Sequence, residues 1–130
     1  MNAAPPTVLI VEDNPLNMKM FAALVADRGY VAVEARDGVT GLELARRMRP
    51  HLIIMDLDLP GISGLSATRA LKSDHETRQI PIILTTATPM TENSPEVREC
   101  GCDGFLPKPI AIGSFLEMVD GFMGLAHSAG

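Results

Sequence analysis

The sequence predicts an α/β domain, a parallel β-sheet with helices on both faces, and three observations carry that prediction. Five short apolar runs alternate with five segments whose apolar residues recur at helical spacing. The runs are continuous rather than alternately apolar and polar, which marks strands covered on both faces. A chain of 130 residues is the length of one ordinary domain and too short for two. Crossovers in such sheets are right-handed almost without exception, so the architecture is a three-layer sandwich.

The elements follow in order. Val8-Leu9-Ile10-Val11 is the first strand, and Glu12-Asp13-Asn14-Pro15 comes directly after it. Asn14 and Pro15 read as N-cap and first helical position, where the missing proline N–H is harmless. Leu16, Met20, Leu24 and also Phe21, Val25 repeat at helical spacing up to a stop at Gly29. Tyr30 to Ala35 is the second strand. Asp37 caps a helix carrying Leu42, Ala45 and Met48, and Pro50 ends it. His51 to Met55 is the third strand and the most apolar.

Gly61 and Gly64 bracket a turn before a helix containing Leu65, Thr68 and Leu71. Ile80 to Thr85 is the fourth strand, with Pro81 at its entry, where a missing donor is tolerated. Ser94-Pro95 opens a short helix that stops near Gly101. Pro89 and Pro95 cannot lie inside a helix without large cost, so this helix is expected to start at Ser94 or to be mobile. Gly104-Phe105-Leu106 is the last strand. A closing helix from about Ala111 to Met123 carries Ile112, Phe115, Leu116, Val119 and Met123 on one face. Residues 1–6 and 125–130 lack pattern and are expected as disordered tails around a domain spanning 7–124.

Composition narrows the function. Sixteen acidic against eleven basic residues give a net charge of −5 and a pI near 5.1. A nucleic-acid surface would need clustered Lys and Arg, and a stacking platform more than four Phe and one Tyr. Cys100 and Cys102 are too close for an ordinary disulfide and have no His nearby for zinc, so they are expected as free thiols. No signal peptide and no membrane span is legible, and the domain is expected to be cytoplasmic. His51, His75 and His127 are scattered and form no ligand set.

Ligands of parallel α/β sheets bind beyond the carboxyl ends of the strands. Those ends carry Glu12-Asp13, Asp56, Thr85-Thr86 and, after the fifth strand, Lys108. Each has an ordinary role when alone: acids cap helices, threonines suit strand ends, lysines cover surface. Convergence is what changes the reading. Carboxylates that close repel unless a cation lies between them. Hard oxygen donors in that number suit Mg²⁺, and with a Lys and a hydroxyl they make a phosphoryl-transfer set.

The chain resembles the receiver domain of two-component response regulators, the CheY-like family. The likeness rests on Val-Glu-Asp-Asn at 11–14, Leu-Ile-Ile-Met-Asp at 52–56, Leu-Pro-Gly-Ile-Ser-Gly at 59–64, Thr-Ala at 86–87 and Lys-Pro at 108–109. Glu-Asp-Asn-Pro-Leu-Asn-Met-Lys at 12–19 and Gly-Cys at 101–102 look most like the single-domain DivK-like regulators. The resemblance implies five parallel strands of order 2-1-3-4-5 with five helices. It implies that Asp56 accepts a phosphoryl group from a histidine kinase or histidine phosphotransferase. Glu12, Asp13, Asp56 and the backbone carbonyl of Asp58 would hold Mg²⁺, with Mn²⁺ as an alternative. Lys108 and Thr86 would bind phosphoryl oxygens, and Ala87 would leave access to the acceptor. Thr86 and Phe105 would switch a face of the fourth helix, fifth strand and fifth helix toward a downstream protein target. Neither nucleic acid nor membrane is expected as a partner, and no turnover enzyme is expected.

Two departures stand out: Pro107 replaces the usual small residue before Lys108, and Asp58 adds a carboxylate beside the site. The Lys108-Pro109 bond is expected to be cis, as the resemblance implies. Two other readings remain open here. Asp56-Leu57-Asp58 also resembles the motif of haloacid-dehalogenase-like phosphatases, although no acidic pair follows the fourth strand. A receiver-like interaction module independent of phosphorylation is the other. The chain ends soon after its fifth helix, so a DNA-binding output domain is not expected.

Overall fold

The computed structural model describes residues 4–129, with side chains through residue 124. The elements are β1 (Thr7–Val11), α1 (Pro15–Asp27), β2 (Val31–Ala35), α2 (Gly38–Met48), β3 (Leu52–Asp56), α3 (Gly64–Ser73), β4 (Ile82–Thr86), α4 (Pro95–Cys100), β5 (Gly104–Pro107) and α5 (Ile112–Ala129). All strands are parallel in the order β2-β1-β3-β4-β5, as expected. Among the described residues no helix is long and apolar enough to cross a membrane.

The helix starts follow the capping chemistry read from the sequence. Asn14 Oδ1 accepts from the Asn17 amide at 3.0 Å, and Asp37 Oδ1 accepts from the Thr40 amide at 2.8 Å. Helix α4 begins late, at Pro95 after Ser94, and ends at Gly101 in the left-handed region. The Ser94 hydroxyl caps nothing in α4; it accepts from the Thr91 amide instead, at 3.1 Å. The Lys108-Pro109 bond is cis, as expected.

Three expectations need correction. Leu16, Met48 and Ile112 were placed on apolar faces but are 78, 43 and 49 % exposed. Each lies in the first or last turn of its helix, and the middle turns carry the buried stripe. In α1 that stripe is Met18, Phe21 and Val25. Helix α5 continues to Ala129 rather than ending at Met123. Gly124 is tolerated in a helix and no proline follows. Residues 1–3 and 130 of the expected tails lie outside the described residues.

The sheet is buried on both faces, and the two faces make separate cores. On one side Val8, Ile10, Leu52, Ile54 and Ile83 pack with Phe21 of α1 and Phe115 of α5, whose rings lie 5.1 Å apart. On the other, Leu9, Val11, Ile53, Met55 and Leu84 pack with Ala45 of α2, Ala67 and Leu71 of α3, and Val97 of α4. Backbone pairing runs one residue past three strands. The Glu12 amide donates to Ala35 O at 3.0 Å, Leu57 to Thr85 O at 2.8 Å, and Lys108 to Thr86 O at 2.7 Å. The chain therefore stays fixed at the point where each polar residue leaves the sheet.

Candidate functional site

Parallel pairing puts the C-terminal ends of β1, β3, β4 and β5 at one edge, so the residues that close those strands meet there. Asp56 is the last residue of β3 and lies opposite Thr85 in the register. Glu12 and Asp56 are 1 and 2 % exposed, while Asp13 is open to solvent. One carboxylate oxygen from each of the three lies within 4.8 Å of the others. Burial of two acids so close to a third calls for a counter-charge.

Lys108 supplies part of it. Its Nζ donates to Glu12 Oε1 at 2.8 Å and lies 3.3 Å from Asp56 Oδ2. The Asn14 amide donates to the other Glu12 oxygen at 3.1 Å. Burial still pushes the Glu12 carboxyl above its usual range, outweighing the hydrogen bond from Lys108. Burial also pulls the Lys108 ammonium down, but its hydrogen bond to Glu12 and the charge of Asp56 more than reverse this. One ammonium among three carboxylates leaves net negative charge at the site. That donor set, all hard oxygen and short of positive charge, fits a small divalent cation.

The sequence-predicted residues come together: Glu12, Asp13, Asp56 and Lys108 at one focus, with Thr86 on its rim. Thr86 is fully buried, and Ala87 beside it is exposed. Phe105 is buried at 9 % exposure and borders an open groove of ≈ 520 Å³ with Val97, Cys102 and Met118. Cys100 and Cys102 are free thiols, as expected.

The sequence flags the Asp58 carboxylate beside the site but not where it turns. The Asp58 amide donates to Asp56 Oδ1 at 3.1 Å, yet its carboxylate turns to the loop after β4. There Oδ2 accepts from the Thr86 hydroxyl at 3.0 Å and the Ala87 amide at 3.3 Å, and Oδ1 accepts from the Thr88 hydroxyl at 2.9 Å. The legible signal was an acid two places after Asp56 together with the hydroxyl-rich Thr85-Thr86-Ala87-Thr88. Gly64 was also undervalued. A Cβ there would collide with the Asp56 carbonyl oxygen and approach Leu57 Cα to 2.7 Å, so only glycine lets α3 start against the end of β3.

Comparison with known proteins agrees with this geometry. The model of the response regulator receiver domain family matches residues 8–120. The polar-differentiation response regulator DivK of Brucella anthropi is 44 % identical over 120 residues, covering 92 % of this chain and 98 % of that protein. The receiver domain of a sensor histidine kinase from Pseudomonas aeruginosa, solved with a magnesium ion coordinated in its active-site cleft, superposes with a TM-score of 0.84. It is 30 % identical, and the match covers 93 % of this chain and 99 % of that one. The chemotaxis protein CheY4 of Vibrio cholerae gives a TM-score of 0.82 at 27 % identity, covering 90 and 98 %. A family match over most of the chain, a relative of this identity and the strand-end acids agree: the chain belongs to the receiver domains of response regulators.

Proposed function

We propose that Asp56 is the phosphoacceptor of this receiver and that the chain works in a phosphorelay, taking its phosphoryl group from a histidine kinase or histidine phosphotransferase. The observation that carries the reading is the buried Asp56 carboxylate, which has a lysine ammonium at 3.3 Å and two further acids within reach. A carboxylate oxygen attacks phosphorus, the bond to the donor nitrogen or oxygen breaks, and an acyl phosphate results. Glu12, Asp13, Asp56 and the Asp58 carbonyl would hold Mg²⁺ or Mn²⁺. The metal, when bound, neutralises charge on the carboxylates and the incoming phosphoryl oxygens.

The chain's own residues do the rest. Lys108 would leave part of its contact with Glu12 for a phosphoryl oxygen, and the Thr86 hydroxyl would donate to another. Exposed Ala87 leaves the approach to Asp56 open. Phosphorylation adds about −1.5 to −2 charges and three acceptor oxygens. The response would pass from Thr86 to Phe105 and the groove beside it, and thus to a protein target on the face of α4, β5 and α5. That target, like the phosphodonor, is a protein. Neither nucleic acid nor membrane is proposed as a partner, and the setting is cytoplasmic. The proposed chemistry is that of a signalling module, phosphorylated once per event, rather than of a turnover enzyme.

The test is intact mass after incubation with acetyl phosphate and Mg²⁺, beside Asp56→Asn. One added phosphoryl group, dependent on Mg²⁺ and missing from the variant, is the expected result. Labelling that survives in Asp56→Asn would remove the assignment, and sustained turnover of a phosphomonoester that depends on Asp56 would favour the phosphatase reading.

A further inference from the structure

Thr86 has one O–H, and it is already in use. The hydroxyl donates to Asp58 Oδ2 at 3.0 Å and meanwhile accepts from the Thr88 amide at 2.9 Å. A hydroxyl carries a single donor, so Thr86 cannot serve a second anion while that contact stands. The neighbouring Ala87 amide, another single donor, points to the same Oδ2 at 3.3 Å. The Thr88 hydroxyl holds the other oxygen, Oδ1, at 2.9 Å. Both Asp58 oxygens are thus bound to three successive residues, from Thr86 at the end of β4 into the loop that follows it. The Asp58 carboxylate does not belong to the acids that converge on the metal locus; those are Glu12, Asp13 and Asp56.

We infer that the Asp58 side chain is an internal competitor for the phosphoryl group, holding in the unphosphorylated chain the Thr86 hydroxyl that a phosphoryl group on Asp56 would use, together with the adjacent Ala87 amide. This inference rests on the proposed role of Asp56. Phosphorylation is then an exchange of acceptors. The Thr86 hydroxyl passes from the Asp58 carboxylate to a phosphoryl oxygen, and no net hydrogen bond is gained at Thr86. Two consequences follow. The loop after β4 is tied down before phosphorylation rather than by it. The incoming charge, two residues from Asp58, repels the Asp58 carboxylate and frees the Thr88 hydroxyl, so the loop that leads into α4 changes partners as a unit. Asp58 is a positioning residue, acting through Thr86, Ala87 and Thr88.

Beryllofluoride, a phosphoryl mimic that adds to a carboxylate, tests the exchange without a kinase. It is titrated at saturating Mg²⁺ into the wild-type chain, Asp58→Ala, Asp58→Asn and Thr88→Val, with Asp56→Asn as control. Releasing a charged acceptor should tighten the apparent affinity of Asp58→Ala about tenfold. Asp58→Asn, which keeps the shape but not the charge, should fall between, and Thr88→Val should gain about threefold. Amide hydrogen exchange at Ala87 and Thr88 without the mimic gives an independent readout, expected to quicken about tenfold in Asp58→Ala. Wild-type binding that needs Asp56, with all three variants within twofold of it or weaker, overturns the competitor while leaving the phosphoacceptor standing. Absence of binding in the wild type removes both. Unchanged exchange at Ala87 and Thr88 also counts against the tie.

Discussion

Glu12 shows how one buried acid sets the pH behaviour of the whole site. Burial raises its carboxyl above the ordinary 4.5, and the Lys108 hydrogen bond, the Asn14 amide and the Lys108 charge recover only part of that shift. A folded-state pKa above the unfolded one means that the folded chain holds the proton more tightly. The stability this contributes is complete below the unfolded value and is lost as pH rises through the folded one. The ionised form of Glu12 is therefore a local liability, relieved when a cation joins it. A metal that needs Glu12 ionised must displace that proton as pH falls. Mg²⁺ affinity, measured by calorimetric titration from pH 7.5 downward, should be level near neutrality. It should then decline with a midpoint above 4.5, by up to about tenfold per pH unit. Glu12→Gln should bind Mg²⁺ more weakly throughout and lose this step. A wild-type step at or below the ordinary glutamate value would show that burial does not govern Glu12.

At the scale of elements, the joint between β3 and α3 is the least forgiving part of the site. Gly64 starts α3 directly against the Asp56 carbonyl and Leu57 Cα, which are backbone and cannot swing aside. Gly64→Ala should cost about 3 kcal/mol, the upper part of the overpacking range. It should also slow acetyl phosphate labelling, because relief requires the end of β3 to move. Gly29 is the control: its φ of 87° disfavours a side chain, but nothing lies within 4 Å. Gly29→Ala should cost about 1 kcal/mol and leave labelling unchanged. Urea midpoints and labelling rates for the two variants check both statements. Equal labelling in Gly64→Ala and wild type would separate α3 packing from the acceptor. The same contrast shows what the sequence could and could not convey. Strand ends were legible because continuous apolar runs stop at Glu12, Asp56, Thr86 and Lys108, and parallel pairing brings such ends to one edge. Helix caps were legible at Asn14 and Asp37 because capping is local. The faces of Leu16 and Ile112 were not, since spacing gives a stripe but not where along the helix the sheet stops. Nor was the direction of the Asp58 carboxylate, which is fixed by a loop thirty positions further along, from Thr86 to Thr88.

For the whole molecule, the decisive balance is between two well-packed cores and one unneutralised end. The cores on either side of the sheet are closed by fully buried Phe21, Phe115, Leu71 and Ile53. The end that carries Glu12, Asp13 and Asp56 sets three carboxylates against a single lysine, on a chain whose formal charge is already −5. Filling that end with a divalent cation leaves the unfolded chain almost unaffected, so metal binding adds directly to folding stability. At one hundred times its dissociation constant Mg²⁺ should contribute about 2.7 kcal/mol. For a domain of this length that is about 10 °C in Tm. Thermal melts across a Mg²⁺ series at constant ionic strength should therefore rise without reaching a plateau, by an increment set by each tenfold step in concentration. Sodium chloride at matched ionic strength should do little, since the effect is occupation of a site rather than screening. Glu12→Gln should melt close to the wild type without metal and lose most of the rise with it. If Tm in the wild type tracks ionic strength alone, the acids at the strand ends would be a charged edge and not a metal site. The phosphoacceptor reading would then have to stand without the cation.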